Sequence, residues 1–218
     1  MDSELITIVI ADDHPLARAG IRTMLEAAPD LRVIGEAEDG DMVQKLVAEL
    51  QPRVLLLDLK MPGLSSAEVE KWVRSQFPTI VTLVLTAHDR DAYLSQMLEA
   101  GISGYMDKNT RGDQLISAIR RAVSGEMLFS SEQIRRARQW RQQEGLQWQR
   151  LTPRERQILP LLASGLDNAG IAARLGISQK TVAFHITNIL KKLQVLSRQE
   201  AASWFTKNIP DDLEELPG

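Results

Sequence analysis

Three carboxylates, a hydroxyl and an ammonium stand where short apolar runs stop. In "LLLDLKMPG", Leu55 to Gly63, Asp58 closes the run Val54 to Leu57 and a Met-Pro-Gly turn follows. Such a run reads as a strand buried on both faces, where an ionised group is not tolerated; at the strand end the carboxylate points instead into the crevice where open α/β sheets bind ligands. "IADDHP" sets Asp12 and Asp13 at the end of the first run, Thr86 ends "IVTLVLT", and Lys108 follows "GYMD". Three acids brought together repel or protonate unless a cation joins them. A hard, oxygen-seeking ion such as Mg²⁺ takes one or two carboxylates, a carbonyl and waters. With Lys108 and that ion neutralising phosphoryl oxygens, and Thr86 donating a hydrogen bond to one of them, Asp58 is placed to attack as the nucleophile of phosphoryl transfer. Each residue type alone is commonplace at a strand end; their joint placement at successive strand ends carries the signal.

The elements that must position them follow from periodicity. "ITIVIA", "LRVIGEA", "VLLLD", "IVTLVLT" and "GYMD" alternate with segments whose apolar residues recur near i, i+3, i+4 and i+7, such as Leu16, Ile21, Met24 and Leu25. Regular β-α alternation predicts an α/β doubly wound, five-stranded parallel sheet of flavodoxin-like order 2-1-3-4-5 over residues 1–125. Residues 126–150, including the Arg/Gln-rich "QIRRARQWRQQEGLQWQR", read as a partly helical linker. Residues 151–210 show four helix starts. Thr152, Pro153 and Glu155 form a capping box with proline at the first helical position; Asn168 to Leu175 ends at Gly176; Ser178 caps "QKTVAFHITNILKKL"; Ser197 with Glu200 opens a fourth helix. Two short helices joined by "GIS" make a helix-turn-helix in a small all-α four-helix domain, with an acidic tail over 211–218.

Charge divides along the same line. Residues 1–125 hold 13 basic against 19 acidic side chains, whereas residues 126–208 hold 13 against 6. A compact basic segment is suited to a phosphate backbone. The absence of cysteine excludes disulfides and thiolate metal sites, and no apolar run reaches the ~18 residues of a membrane span. A cytoplasmic protein without membrane partners is expected.

The third helix of the C-terminal domain separates into two faces. Val182, Ile186, Ile189, Leu190 and Leu193 turn inward, leaving Lys180, Thr181, Phe184, Thr187, Asn188 and Lys191 for the major groove of double-stranded DNA, with Phe184 suited to a thymine methyl or to packing against the protein.

Asp12, Asp13, Asp58, Thr86 and Lys108, with "KMPG" and "SGYMDK", resemble the receiver domain of two-component response regulators over residues 5–125. Residues 151–198 resemble the LuxR-type helix-turn-helix, and the pair together resembles the NarL/FixJ class. The resemblance implies that Asp58 is the phosphoacceptor and that Asp13, Asp58 and the Lys60 carbonyl hold Mg²⁺, with Asp12 acting through water. It further implies that Tyr105 is an aromatic switch coupled to Thr86. It assigns Lys180, Thr181 and Lys191 to DNA phosphates, makes Glu155, His185 and Asn188 largely architectural, and places a dimer contact on the last helix, at Trp204 and Ala201. The implied partners are a sensor histidine kinase or small phosphodonor, DNA, and a second copy forming a homodimer on activation. The chain departs from the family at Asn109, Ser65-Ser66, Ala169-Gly170, Ala183 and Gln194. Pro160 interrupts the first helix of the domain. A dehalogenase-like phosphatase needs a second aspartate two residues after its nucleophile, where Lys60 stands, so a non-enzymatic regulator is expected. The alternatives are a regulator independent of phosphorylation and a protein-interaction adaptor that has lost DNA.

Overall fold

The computed structural model describes residues 5–87 and 89–209; the acidic tail expected over 211–218 lies outside the described residues. β1 (Ile6–Ala11), α1 (Pro15–Glu26), β2 (Leu31–Ala37), α2 (Gly40–Leu50), β3 (Val54–Leu57), α3 (Ser66–Gln76), β4 (Val81–Thr86), α4 (Asp91–Ala100), β5 (Gly104–Asp107) and α5 (Gly112–Val123) alternate without interruption. All strand pairs are parallel, in the order β2-β1-β3-β4-β5. This is the doubly wound sheet that the alternation predicts, β4 starting one residue later than its apolar run.

Register sets the functional edge. Ala11 lies opposite Leu57, and Thr86 opposite Asp107, so residues just beyond these positions emerge along one rim. On one face of the sheet, Ile8, Ile10, Val54, Leu56, Leu83 and Leu85 join Ile21 and Leu25 of α1 and Leu115 and Ile119 of α5 in one core. Each such buried side chain contributes roughly 1.5–3 kcal/mol, which fixes the strand ends in place. Gly40 opens α2 where its amide donates to the Pro62 carbonyl (2.9 Å), and any Cβ there would overlap the Leu64 carbonyl. That close approach anchors the turn after Asp58.

The remaining helices are α6 (Ser131–Trp140), a π-helical turn (Arg141–Gly145), α7 (Leu146–Gln149), α8 (Pro153–Ala163), α9 (Asn168–Leu175), α10 (Gln179–Leu193) and α11 (Arg198–Asn208). The described residues form two compact units: one comprises residues up to Asp89 with Gln96–Ile134, the other Arg90–Ser95 with residues from Arg135 onward. The second part of the expected linker therefore belongs to the helical unit. Trp148 of α7 is buried, its ring 6.0 Å from Phe205 and capped by the Arg156 guanidinium at 5.6 Å. Gln147 donates to the Leu193 carbonyl (3.1 Å) and accepts from the Trp204 indole (3.0 Å).

The capping residues read from the sequence act as expected at α8 and α10. Thr152 and Glu155 close a full capping box, and Ser178 accepts from the Thr181 amide. At α11, Ser197 accepts from the Glu200 amide, but the Glu200 carboxylate accepts from the Leu196 amide (2.9 Å) and the Ser197 hydroxyl (3.2 Å) instead of the Ser197 amide. Pro160 lies inside α8, which continues to Ala163.

Candidate functional site

At the carboxyl rim of the sheet, the Asp12 amide donates to the Ala37 carbonyl (3.1 Å) and the Asp58 amide to the Ala11 carbonyl (2.9 Å), so the ladder extends one residue beyond each strand and aims both side chains outward. Both carboxylates are nearly inaccessible to water. Lys108 Nζ bridges them, 2.7 Å from Asp58 Oδ2 and 2.8 Å from Asp12 Oδ2. The Asp58 contact is a hydrogen bond and the Asp12 contact an ion pair. Asp58 Oδ1 accepts from the Leu59 amide (2.7 Å), so both oxygens of the carboxylate are engaged, Oδ2 by Lys108.

Burial pushes the Asp58 carboxyl above the usual range; the Lys108 bond and charge pull it back without cancelling the rise, and Asp12 adds repulsion. Burial opposes the charge on Lys108, yet Asp12 and Asp58 together hold its ammonium above the ordinary value. The pocket is therefore a desolvated anionic site in which charge is only partly balanced.

Asp12, Asp13, His14 and Asp58 each bring one ligand atom within 4.8 Å of the others. Asp13 Oδ1 is shielded from water and makes no hydrogen bond although His14 Nδ1 lies only 2.6 Å away. Carboxylate oxygens so crowded fit a hard divalent cation, and these residues could hold one. His14 was not singled out in the sequence; its only signal is adjacency to the paired aspartates in "DDHP". The His14 amide donates to Asp12 Oδ1 (2.9 Å), fixing that carboxylate at the start of α1.

Thr86 is buried at the end of β4, and its carbonyl accepts from the Lys108 amide (3.0 Å), which ties hydroxyl and ammonium to adjacent strand ends. Tyr105 is buried within β5. Lys60 is half-buried in the turn after Asp58. The Ser65-Ser66 departure has a local purpose: Ser65 forms a capping box with Glu68 at α3, and Ser66 Oγ donates to the Leu59 carbonyl (3.0 Å). Asn109 is held by its amide, which donates to Asp107 Oδ1 (2.7 Å) and leaves the Lys108 side chain in the pocket.

In the helical unit, Val182, Ile186, Ile189 and Leu193 are buried and Leu190 is half-buried. Lys180, Thr181, Phe184, Thr187 and Lys191 are exposed on the opposite side of α10, and Asn188 is half-buried. Glu155 is architectural, but through Lys192 (2.6 Å) and the Thr152 amide (2.7 Å) rather than through His185 or Asn188. The dimer contact expected at Ala201 is corrected by burial: its side chain is fully enclosed within the unit, whereas Trp204 is half-buried.

A doubly wound sheet with this acidic rim, followed by a helix-turn-helix, defines a two-component response regulator. Residues 8–120 match the response regulator receiver domain, and residues 149–205 match the bacterial regulatory proteins of the luxR family. The chain is 37% identical to the nitrate/nitrite response regulator NarL of Escherichia coli K12 across 93% of its own length and 96% of that protein. It is likewise 37% identical to the transcriptional regulatory protein LiaR of Bacillus subtilis, over 94% and 98%. A structure of the RcsB response regulator of Salmonella typhimurium superposes with a TM-score of 0.62 at 28% identity, over 92% and 99% of the two chains, and an RcsB–DNA complex superposes at 0.60. The chain belongs to the NarL/FixJ-type response regulators, a receiver joined to a LuxR-type helix-turn-helix. Its relatives are named as regulators of transcription.

Proposed function

We propose that Asp58 accepts a phosphoryl group and that this controls dimerisation and sequence-specific DNA binding by α10, so regulating transcription. The observation that carries the reading is the Lys108 bridge at 2.7 and 2.8 Å between two buried aspartates, with Thr86 at the neighbouring strand end. Asp58 presents Oδ2 to an in-line phosphorus while Oδ1 stays on the Leu59 amide. Lys108 exchanges its carboxylate contacts for a phosphoryl oxygen, and the Thr86 hydroxyl donates to another. Asp13, Asp58 and the Lys60 carbonyl, with Asp12 acting through water, would hold a Mg²⁺ ion, which would supply further charge neutralisation. His14 lies beside that set. The phosphodonor is a sensor histidine kinase or a small phosphorylated molecule. Tyr105, in β5 beside β4, is the group that responds to Thr86.

Lys180, Thr181 and Lys191 contact phosphates; Phe184, Thr187 and Asn188 face base edges; Trp204 lies at the contact between two helical units on DNA. The domains are a receiver over 1–125, a segment over 126–150 whose second part packs with the helical unit, and the DNA-binding domain over 151–210. No described helix is long and apolar enough to cross a membrane, and DNA as the target puts the protein in the cytoplasm. Incubating the full chain with acetyl phosphate and Mg²⁺, then resolving phosphoprotein on a phosphate-affinity gel, tests the chemistry. One retarded band is expected for the wild type and none for Asp58→Asn; equal labelling of both proteins contradicts the assignment.

A further inference from the structure

The centre of the exposed face of α10 is apolar. Ala183 and Phe184 are both exposed there, Phe184 at 63%. Thr187, one turn on, donates its hydroxyl proton back to the Ala183 carbonyl (3.0 Å), so its methyl is the group left to contact a neighbour. At the helix start the Thr181 and Ser178 hydroxyls are engaged with each other (2.8 Å). Lysines stand only at the two ends, Lys180 and Lys191, and Asn188, half-buried, lies at the margin. The aromatic ring is steadied from one side by His185, edge-on at a centroid distance of 5.7 Å.

A guanine is read in the major groove by donors to its O6 and N7, and a cytosine by an acceptor for its amino group. Ala183 and Phe184 offer neither kind of group, and the Thr187 hydroxyl, its proton held by the Ala183 carbonyl, cannot donate to a guanine without breaking that bond and keeps only acceptor capacity. What such a strip distinguishes is the C5-methyl of thymine, the one apolar feature on any base edge in that groove. Terminal lysines set the helix on the phosphates and carry no sequence information themselves.

We infer that Phe184, supported by Ala183 and the Thr187 methyl, is the specificity-determining residue of this regulator and selects half-sites by a thymine methyl. This rests on the reading of α10 as the groove-binding helix. Phe184 is mostly exposed, so replacing it leaves the core of the unit intact.

The test uses the full chain with Mg²⁺ and beryllofluoride to enrich duplexes from a random library. Each thymine of the preferred half-site is then replaced by deoxyuridine, which keeps every hydrogen-bonding edge and removes only the methyl. Anisotropy titration should show about a fourfold loss of affinity at the contacted thymine, the equivalent of one methyl-sized group returned to water. Phe184→Leu should keep this discrimination. Phe184→Ser should bind more weakly and treat thymine and uracil alike, with unchanged helicity. Indifference of the wild type to uracil at every position overturns the inference, as does discrimination that persists in Phe184→Ser. Failure to enrich any duplex instead overturns the DNA-binding reading beneath it.

Discussion

Asp58 is held at a cost that its own position creates. Its carboxyl is pushed upward by burial more than Lys108 pulls it down. A group whose folded value is raised contributes stability that is complete below its ordinary value and is lost as pH climbs through the folded value. Asp58→Asn, measured in the absence of divalent cations, should therefore melt higher than the wild type at neutral pH, with the difference closing as the solution is acidified toward the ordinary aspartate range. A variant that melts lower at pH 7 contradicts this. Glu155 behaves in the opposite sense. Burial opposes its ionisation, but the Lys192 ammonium and the Thr152 cap outweigh that and hold it below the usual glutamate range. Its contribution is present above that range and fades as pH falls through the folded value. Lys192→Met removes the counter-charge and should cost about 1–3 kcal/mol at neutral pH by urea denaturation, discounted because Lys192 is partly exposed. Both titrating groups could be picked out from the sequence because their positions, a strand end and a capping box, fix where a carboxylate must go. His14 could not: its contribution depends on where the imaginary line of the chain turns into α1 and on the rotamer that sets Nδ1 beside Asp13, which composition does not encode.

Elements were legible wherever one periodicity dominated. Val54 to Leu57 is uniformly apolar because helices cover both faces, so β3 and the place of Asp58 could be read directly. The segment around Trp140 and Trp148 was read as a linker because its arginines and glutamines carry no sustained apolar face. Its order comes from two tryptophans, both buried, and from cross-helix bonds of Gln147, none of them periodic. Ala201 was misplaced for a related reason, since helical spacing alone does not say which side of α11 faces α8. Two backbone features yield predictions at this scale. Gln194 ends α10 in the left-handed region at φ 58°, a conformation that costs a residue with a Cβ about 1 kcal/mol and glycine little. Gln194→Gly should raise stability by about that amount in thermal melts, and no gain would count against the strain. Gly40→Ala should do the reverse, because the added methyl meets the Leu64 backbone rather than a movable side chain. A loss of about 1–3 kcal/mol is expected, together with weaker acetyl phosphate labelling as the turn after Asp58 shifts.

For the whole molecule, charge is segregated: a carboxylate cluster at the sheet rim of one unit, lysines on the exposed face of α10 in the other. DNA binding that relies on Lys180 and Lys191 at the phosphates should weaken steeply with salt, and an affinity that is the same at 50 and 200 mM salt contradicts that mode. The central claim is that the state of Asp58 governs affinity for DNA. The most direct measurement titrates one fluorescent duplex, enriched by the protein itself, with wild type and Asp58→Asn, each with and without Mg²⁺ and beryllofluoride. Tighter binding with the phosphoryl mimic is expected for the wild type alone. Identical curves for the wild type with and without the mimic, or tightening that survives in Asp58→Asn, contradict it.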